Sequence, residues 1–131
     1  MCDEKENVKD DGRLKDGRMV LCAANGYDQK YFFNKHFDRI PETYKEELHV
    51  ICVLYAAEVG GIIKFVFEED GDLSIETEAE EDDITYDEIS AGLTVIEIRR
   101  RKQEMFQELS MYYKIFILKE DPSKFLLSGE E

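Results

Sequence analysis

The chain has 131 residues and a formal net charge of −14, which arises from 31 acidic and 17 basic residues. This length accommodates one hydrophobic core and no second domain. Because the charge repels nucleic-acid phosphates and anionic lipid surfaces, we expect neither nucleic acid nor a membrane as a partner, and a basic protein is the class that the charge favours.

Motifs that carry chemistry are missing from the sequence. It contains two histidines and three cysteines, without the spacing of a zinc site or a disulfide framework. It has no phosphate-binding loop, dinucleotide-binding glycine pattern or nucleophile elbow. We therefore predict no cofactor, no metal, no catalytic residue and no enzyme activity. Neither a signal peptide nor a membrane span is recognisable, so we expect a cytoplasmic protein.

The first apolar run predicts a β-hairpin. Residues 19–24 read as a strand, and Asn25 with Gly26 accepts the positive φ values that a two-residue hairpin turn requires. Residues 27–33 are then the second strand, although the same segment is also compatible with a short helix.

A central helix and a second hairpin follow. Pro41 suits the first turn of a helix and Gly60 can end it with a left-handed residue, so the helix is predicted at residues 41–59. Its second half is apolar nearly all round, and we expect the helix to be covered on most sides. Strict alternation then predicts strands at 63–67 and 73–77 around an acidic turn.

A long C-terminal helix is predicted at residues 86–118. Thr85 is its expected N-cap, with Glu88 reaching back from the third position. An apolar stripe follows the helix with Lys102 as its charged member, and Gly92 is its weak point. If the helix breaks at Gly92, the remaining piece matches the domain and a monomer is feasible. An unbroken helix overhangs a domain of this size, and the simplest cover is a second copy, so we expect a homodimer. The candidate dimer face consists of Met105, Leu109, Tyr112 and Phe116.

The order of these elements predicts an α+β fold. We expect a two-layer sandwich, in which a four-stranded antiparallel sheet of two hairpins packs against the central helix and the long C-terminal helix. The strand order stays open. A roadblock-like dimerisation fold is the alternative, by analogy of architecture alone. The domain is expected at residues 18–119, between a mobile charged tail at 1–17 and a frayed tail at 120–131.

Charge is separated along the chain. Residues 68–88 carry twelve acids and no base, which suits a basic partner or a solvated sheet edge. The single basic block is expected to pair with the acids at 76–88, within the chain or in a partner chain, and phosphate binding is the least favoured interpretation. The candidate interaction residues are Arg99, Arg100, Arg101 and Lys102.

Two smaller groups of residues have structural and functional interpretations. Aromatic residues at 27–33 can line a ligand pocket, although aromatic residues at strand spacing usually belong to the core. Cys22 and Cys52 lie in apolar runs and are expected to be buried, reduced thiols. His49 lies three residues before Cys52, which is half of a metal site, but a hydrogen-bonded core histidine is the better interpretation. The candidate pocket residues are Tyr27, Tyr31 and Phe33.

Six segments within about residues 19–118 together resemble a known family. They are Val20-Leu21-Cys22, Gln29-Lys30-Tyr31-Phe32-Phe33-Asn34, Cys52-Val53-Leu54, Glu58-Val59-Gly60-Gly61-Ile62, Tyr86-Asp87-Glu88-Ile89 and Tyr112-Tyr113-Lys114. The resemblance is to an uncharacterised family of short acidic proteins from Gram-positive anaerobic bacteria. It implies a bacterial cytoplasmic protein without a known activity, so no functional residue is carried over.

These observations favour a non-enzymatic protein-interaction or regulatory module of the bacterial cytoplasm. One alternative is a small-ligand-binding or enzymatic domain that uses the aromatic cluster. The other is an acidic inhibitor or immunity-type protein that binds a basic partner. A stoichiometric small molecule would support the ligand-binding domain, and a specific protein partner would support the other two.

Overall fold

The computed structural model describes residues 17–121, which form four strands and three helices. The predicted α+β fold with a four-stranded antiparallel sheet is confirmed. Of the predicted tails at 1–17 and 120–131, residues 1–16 and 122–131 lie outside the described residues. The strands are β1 (Met19–Asn25), β2 (Lys30–Phe33), β3 (Ile62–Phe67) and β4 (Leu73–Glu78). The helices are α1 (Glu42–Glu58), α2 (Glu88–Arg101) and α3 (Gln103–Phe116), with a short 3-10 helix at Lys35–Phe37.

The sheet joins its two hairpins along their first strands. Its order is β2-β1-β3-β4 and all neighbouring pairs are antiparallel. The helices pack on one face, where Ile63, Phe65 and Phe67 enter the core, since alternate residues of a strand point to the same side. The alternation predicted for the second hairpin is therefore the observed one.

Strand β1 begins with consecutive apolar residues, and a bulge allows two adjacent ones to face the same covered side of the sheet. The register with β3 shifts between Val20 and Cys22, which makes Leu21 the extra residue. Leu21 and Cys22, although adjacent, both join the core beneath the helices, whereas Val20 packs with Val66 elsewhere. Asn34 is buried, and its side-chain amide donates to the carbonyl of Val20 at 2.8 Å. This amide supports the backbone at the bulge.

The predicted two-residue turn at Asn25 and Gly26 is wrong. The connection occupies four residues, from Gly26 to Gln29, and the positive φ falls on Gln29, at 55°. The Asn25 side chain turns the chain instead, because its Oδ1 accepts from the backbone N–H groups two and three residues on, at 2.9 and 3.2 Å. The segment that follows the turn is a strand, as one of the two interpretations predicted.

Helix α1 starts and ends within a residue of its predicted limits. Gly60 ends it with a φ of 87°, and its N–H donates to the carbonyl of Tyr55 at 3.3 Å. The expectation of cover on most sides is wrong. The helix buries Leu48, Cys52 and Tyr55, which lie on one side because helical residues three or four apart are neighbours. Other apolar side chains of α1 are exposed.

The start of α2 differs from the prediction. Its N-cap is Asp87 rather than Thr85, and Asp87 Oδ1 accepts from the N–H groups of Ile89 and Ser90 at 3.1 and 3.2 Å. The Thr85 hydroxyl donates to Asp83 at 2.7 Å instead. A hydrogen bond from the Ser90 hydroxyl, followed by those from backbone N–H groups, lowers the pKa of Asp87.

The predicted long helix is divided into α2 and α3. The chain stays helical through Gly92 and leaves the helical conformation at Lys102, where φ is −110° and ψ is 27°. A lysine within an apolar stripe needs a partner or solvent for its charge, and the bend lets its ammonium reach Glu47 at 3.2 Å. Each piece spans about 21 Å at about 1.5 Å per residue. Neither piece therefore needs to overhang the domain.

Candidate functional site

An open groove with a volume of about 780 Å³ runs between α1 and α2. Apolar side chains line both of its sides, with Val50 and Leu54 on α1 and Leu93 on α2. These three side chains are 54%, 52% and 62% exposed. Val50 and Leu54 lie one turn apart and point away from the buried side of α1. The groove is thus an apolar surface that the fold presents to solvent.

Helix α2 is weakly anchored in its own domain. Ala91 is its only buried residue, whereas Ile89 and Ile96 are 76% and 63% exposed. Together with Leu93, these residues follow a spacing of four and three, so they form one ridge along the helix. Isolated helices of fewer than about 12–15 residues are marginal in water. Of this 14-residue helix only Ala91 is buried, and Val95 and Ile98 are partly buried against the core. The exposed ridge adds no packing within the described fold.

Charged residues border the groove at one end. Lys102 of α2 and Glu47 of α1 meet there at 3.2 Å and link the two helices. Glu97 accepts from Arg100 at 2.7 Å and also pairs with Arg101. The hydrogen bonds from these two guanidinium groups hold the pKa of Glu97 below its ordinary value. At this end of the groove, one salt bridge therefore joins α1 to α2 and the others lie within α2.

The predicted pairing of the basic block with the acids at 76–88 is absent from the ion pairs of the described residues. Arg99 lies over the ring of Phe106, with its guanidinium carbon 5.4 Å from the centroid. Among the acids, Glu76 pairs with Arg18, and Glu78 pairs with Lys64 at 3.0 Å. Glu76 and Glu78 therefore pair with nearby cations of the sheet region instead of with the basic block.

The candidate dimer face does not lie on one surface. Met105 and Leu109 are buried in the core of their own domain. Tyr112 is half-buried and packs against the core, with its ring 4.9 Å from that of Phe116. Phe116 alone is exposed, by 55%. A second copy therefore cannot use all four side chains of this face.

The three aromatic residues of the candidate pocket contact different partners. The Tyr27 hydroxyl donates to Asp83 at 2.7 Å, and this hydrogen bond raises the pKa of Tyr27. The ring of Tyr31 stacks on His49 at 4.3 Å, and Phe33 lies beneath the ammonium of Lys45 at 5.8 Å. Tyr31 and Phe33 therefore pack side by side between β2 and one side of α1, whereas Tyr27 is held by a hydrogen bond elsewhere.

The thiols and the imidazole do not assemble a reactive site. Cys22 and Cys52 are free and buried, as predicted, and burial raises the pKa of the Cys22 thiol, which lowers its reactivity. The predicted core histidine is wrong, because His49 is exposed while Cys52 is buried. Within residues 17–121, no group of three or more histidine, cysteine and carboxylate side chains is placed to hold a metal ion.

Comparison with known proteins identifies the family of the chain. The family of unknown function DUF6145 matches residues 18–121. The chain belongs to this family. The predicted resemblance to an uncharacterised family is confirmed to that extent. No curated protein and no solved structure matches this DUF6145 chain. In the described part of the DUF6145 chain, every helix is too short or too polar to cross a membrane.

Proposed function

We propose that the chain is a non-enzymatic protein-interaction module whose α1–α2 groove binds an apolar helical segment of a protein. The observation that carries this proposal is the solvent-exposed apolar lining of the groove at Val50, Leu54 and Leu93. Ile89 and Ile96 continue this apolar surface along α2, beside the groove lining. Exposed apolar side chains that are contiguous mark interaction sites more often than ordinary surface.

The shape of the groove favours a helix as its ligand. Two parallel or antiparallel helices leave a furrow that accepts the apolar face of a third helix, a common mode of peptide recognition. Val50 and Leu54 on one side and Leu93 on the other provide the apolar contacts. The ion pair of Glu47 and Lys102 and Glu58 at the other end of α1 give the groove polar limits.

Other observations bear on the compartment and on the two alternative functions. The resemblance to acidic proteins of Gram-positive anaerobes and the reduced thiols support a bacterial cytoplasmic module. Ligand binding by the aromatic cluster has little support, since Tyr31 and Phe33 are occupied in packing against α1 and the Tyr27 hydroxyl donates to Asp83. An acidic inhibitor remains a prediction, although Glu76 and Glu78 already pair within the chain.

Photo-cross-linking tests the proposal. A photoreactive amino acid at position 93 should give a discrete protein adduct in cells that produce the full chain. Position 53 is the matched control, because Val53 is also exposed but lies outside the groove lining. An adduct from position 93 and none from position 53 supports the groove. No adduct at position 93, or the same adducts from both positions, contradicts it.

A further inference from the structure

We infer that the partner in the α1–α2 groove is a second copy of this chain, with the two α2 helices packed antiparallel about a two-fold axis near Leu93 and Ile96. This inference rests on the proposed function and names the partner. Three properties of α2 support it: the spacing of its ridge, the distribution of its charge and the area that it exposes.

The spacing of the ridge is symmetric. Ile89, Leu93, Ile96 and Arg100 follow one another at intervals of four, three and four, so the row reads the same in both directions. In an antiparallel pair centred on the row, Leu93 lies opposite Ile96 of the second copy, and Ile89 lies opposite Arg100. A two-fold interface requires this kind of self-complementary surface.

The charge of α2 also reverses from end to end. Its N-terminal end carries Asp87 and Glu88, and its C-terminal end carries Arg99, Arg100 and Arg101. An antiparallel pair therefore places acids of one copy beside arginines of the other at both ends, whereas a parallel pair would place like charges together. Opposite charges across an interface determine orientation more than they raise affinity.

The exposed apolar area suits the centre of a standard interface. Each of the five exposed side chains on this face leaves roughly 100 Å² in contact with water, or on the order of 500 Å² in all, against about 800 Å² per partner in a standard interface. The charged ends of α1 and α2 supply a polar rim. Three of the five, Val50, Leu54 and Leu93, line the groove, and the other two, Ile89 and Ile96, extend the ridge of α2 beside it.

The net charge of −14 does not prevent this contact. Helix α2 itself carries two acids, Glu88 and Glu97, against three arginines, so the two α2 surfaces that meet at the axis have little net charge. Helix α1 adds Glu46, Glu47 and Glu58 to the groove lining, away from that axis. Repulsion between the more distant acids is screened beyond about 8 Å at physiological ionic strength.

Light scattering coupled to size exclusion tests the partner with the purified full chain. We expect wild type at about 100 µM to elute with twice the 15.3 kDa chain mass, at a concentration where a micromolar dimer is populated. Leu93→Glu and Ile96→Glu should give the monomer mass with an unchanged circular dichroism spectrum, because both side chains are more than 60% exposed. Val53→Glu, outside the groove, should remain dimeric. A monomeric wild type, or equal dissociation by Val53→Glu, overturns the inference.

A charge exchange tests the antiparallel orientation. In this register Arg101 lies opposite Glu88 of the second copy, so Arg101→Glu should weaken dimerisation about tenfold, since two symmetric contacts change from attractive to repulsive. Adding Glu88→Arg to the same chain should restore affinity to within about threefold, because each reversed residue again faces its opposite. No recovery in the double variant, with a normal helical spectrum, rules out this register. If wild type is monomeric but position 93 cross-links to another protein, the self-association fails while the proposed function stands.

Discussion

Shortening Leu109 and Phe116 to alanine compares two residues that the sequence pattern placed on one face. Leu109 is 1% exposed and lies in the core. Leu109→Ala removes three carbon atoms at about 0.8 kcal/mol each and leaves a cavity, so we expect the free energy of unfolding to fall by about 3–4 kcal/mol. Phe116 is 55% exposed and mainly contacts the ring of Tyr112. Phe116→Ala should therefore cost about 1 kcal/mol or less.

Urea unfolding followed by circular dichroism, at one protein concentration, measures both changes. With a slope of about 1.5 kcal/mol per molar urea for a chain of this size, the midpoint should fall by about 2 M for Leu109→Ala and by less than about 0.7 M for Phe116→Ala. Equal shifts for the two variants, with unchanged slopes, would show that the assignment of Leu109 to the core and Phe116 to the surface is incorrect.

Three further predictions concern single positions. Asp87→Ala should lower the melting temperature by about 4 °C through loss of the helix cap, with little effect from Thr85→Ala. A nearby serine hydroxyl lowers the pKa of Asp87. The stabilisation from the ionised cap is therefore present above its ordinary pKa of 3.8 and is lost as the pH falls through the lowered value. Asp87→Asn should abolish this pH dependence in melts from neutral to acidic pH. Gly61→Ala should lower the free energy of unfolding in urea by more than about 2 kcal/mol, since φ is 76° and the added carbon lies 2.7 Å from a backbone oxygen and from an aromatic ring carbon. Gly60→Ala is the control: the added carbon has nothing within 4 Å, so it should cost only about 1 kcal/mol. Equal costs would contradict the steric argument. Asn34→Ala should cost about 2 kcal/mol in the same assay, because it leaves a buried carbonyl at the bulge without its side-chain donor; an unchanged midpoint would show that the amide contributes little.

Local chemistry explains the parts of the fold that the sequence predicted well. The second hairpin followed from period-two alternation at Ile63, Phe65 and Phe67, which needs no knowledge of distant residues. The limits of α1 followed from Pro41 and Gly60 for the same reason, since a proline and a left-handed glycine act within one turn of their positions.

The errors arose where distant contacts or competing local bonds decided the outcome. The bulge at Leu21 depends on pairing with a strand about 40 residues away, which local patterns do not report. Asp87 and Thr85 are both good N-caps, and Asp83 engaged the threonine hydroxyl. The break occurs at Lys102, which pairs with Glu47 on another helix, whereas intrinsic helix propensity favours a break at glycine.

The candidate site was partly readable from the sequence. Helix α2 carries two apolar rows, one through Ala91 and one through Ile89, Leu93 and Ile96. Both have helical spacing, but only the first was used to predict the core. The sequence also predicted correctly that α1 is apolar, but it predicted that the rest of the domain would cover the helix. A sequence pattern shows that a face is apolar, but the covering surface depends on the three-dimensional arrangement.

The seam between β1 and β3 has a consequence for the folding rate. Each hairpin closes over a short turn, which takes on the order of microseconds. The contact between β1 and β3 joins segments that are roughly 40 residues apart. Closing so long a loop lowers the entropy of the chain before the hydrogen bonds between the strands can form. We expect this closure to limit the rate of folding. Val20 and Val66, paired across the seam, would then affect the folding rate more than residues within either hairpin turn.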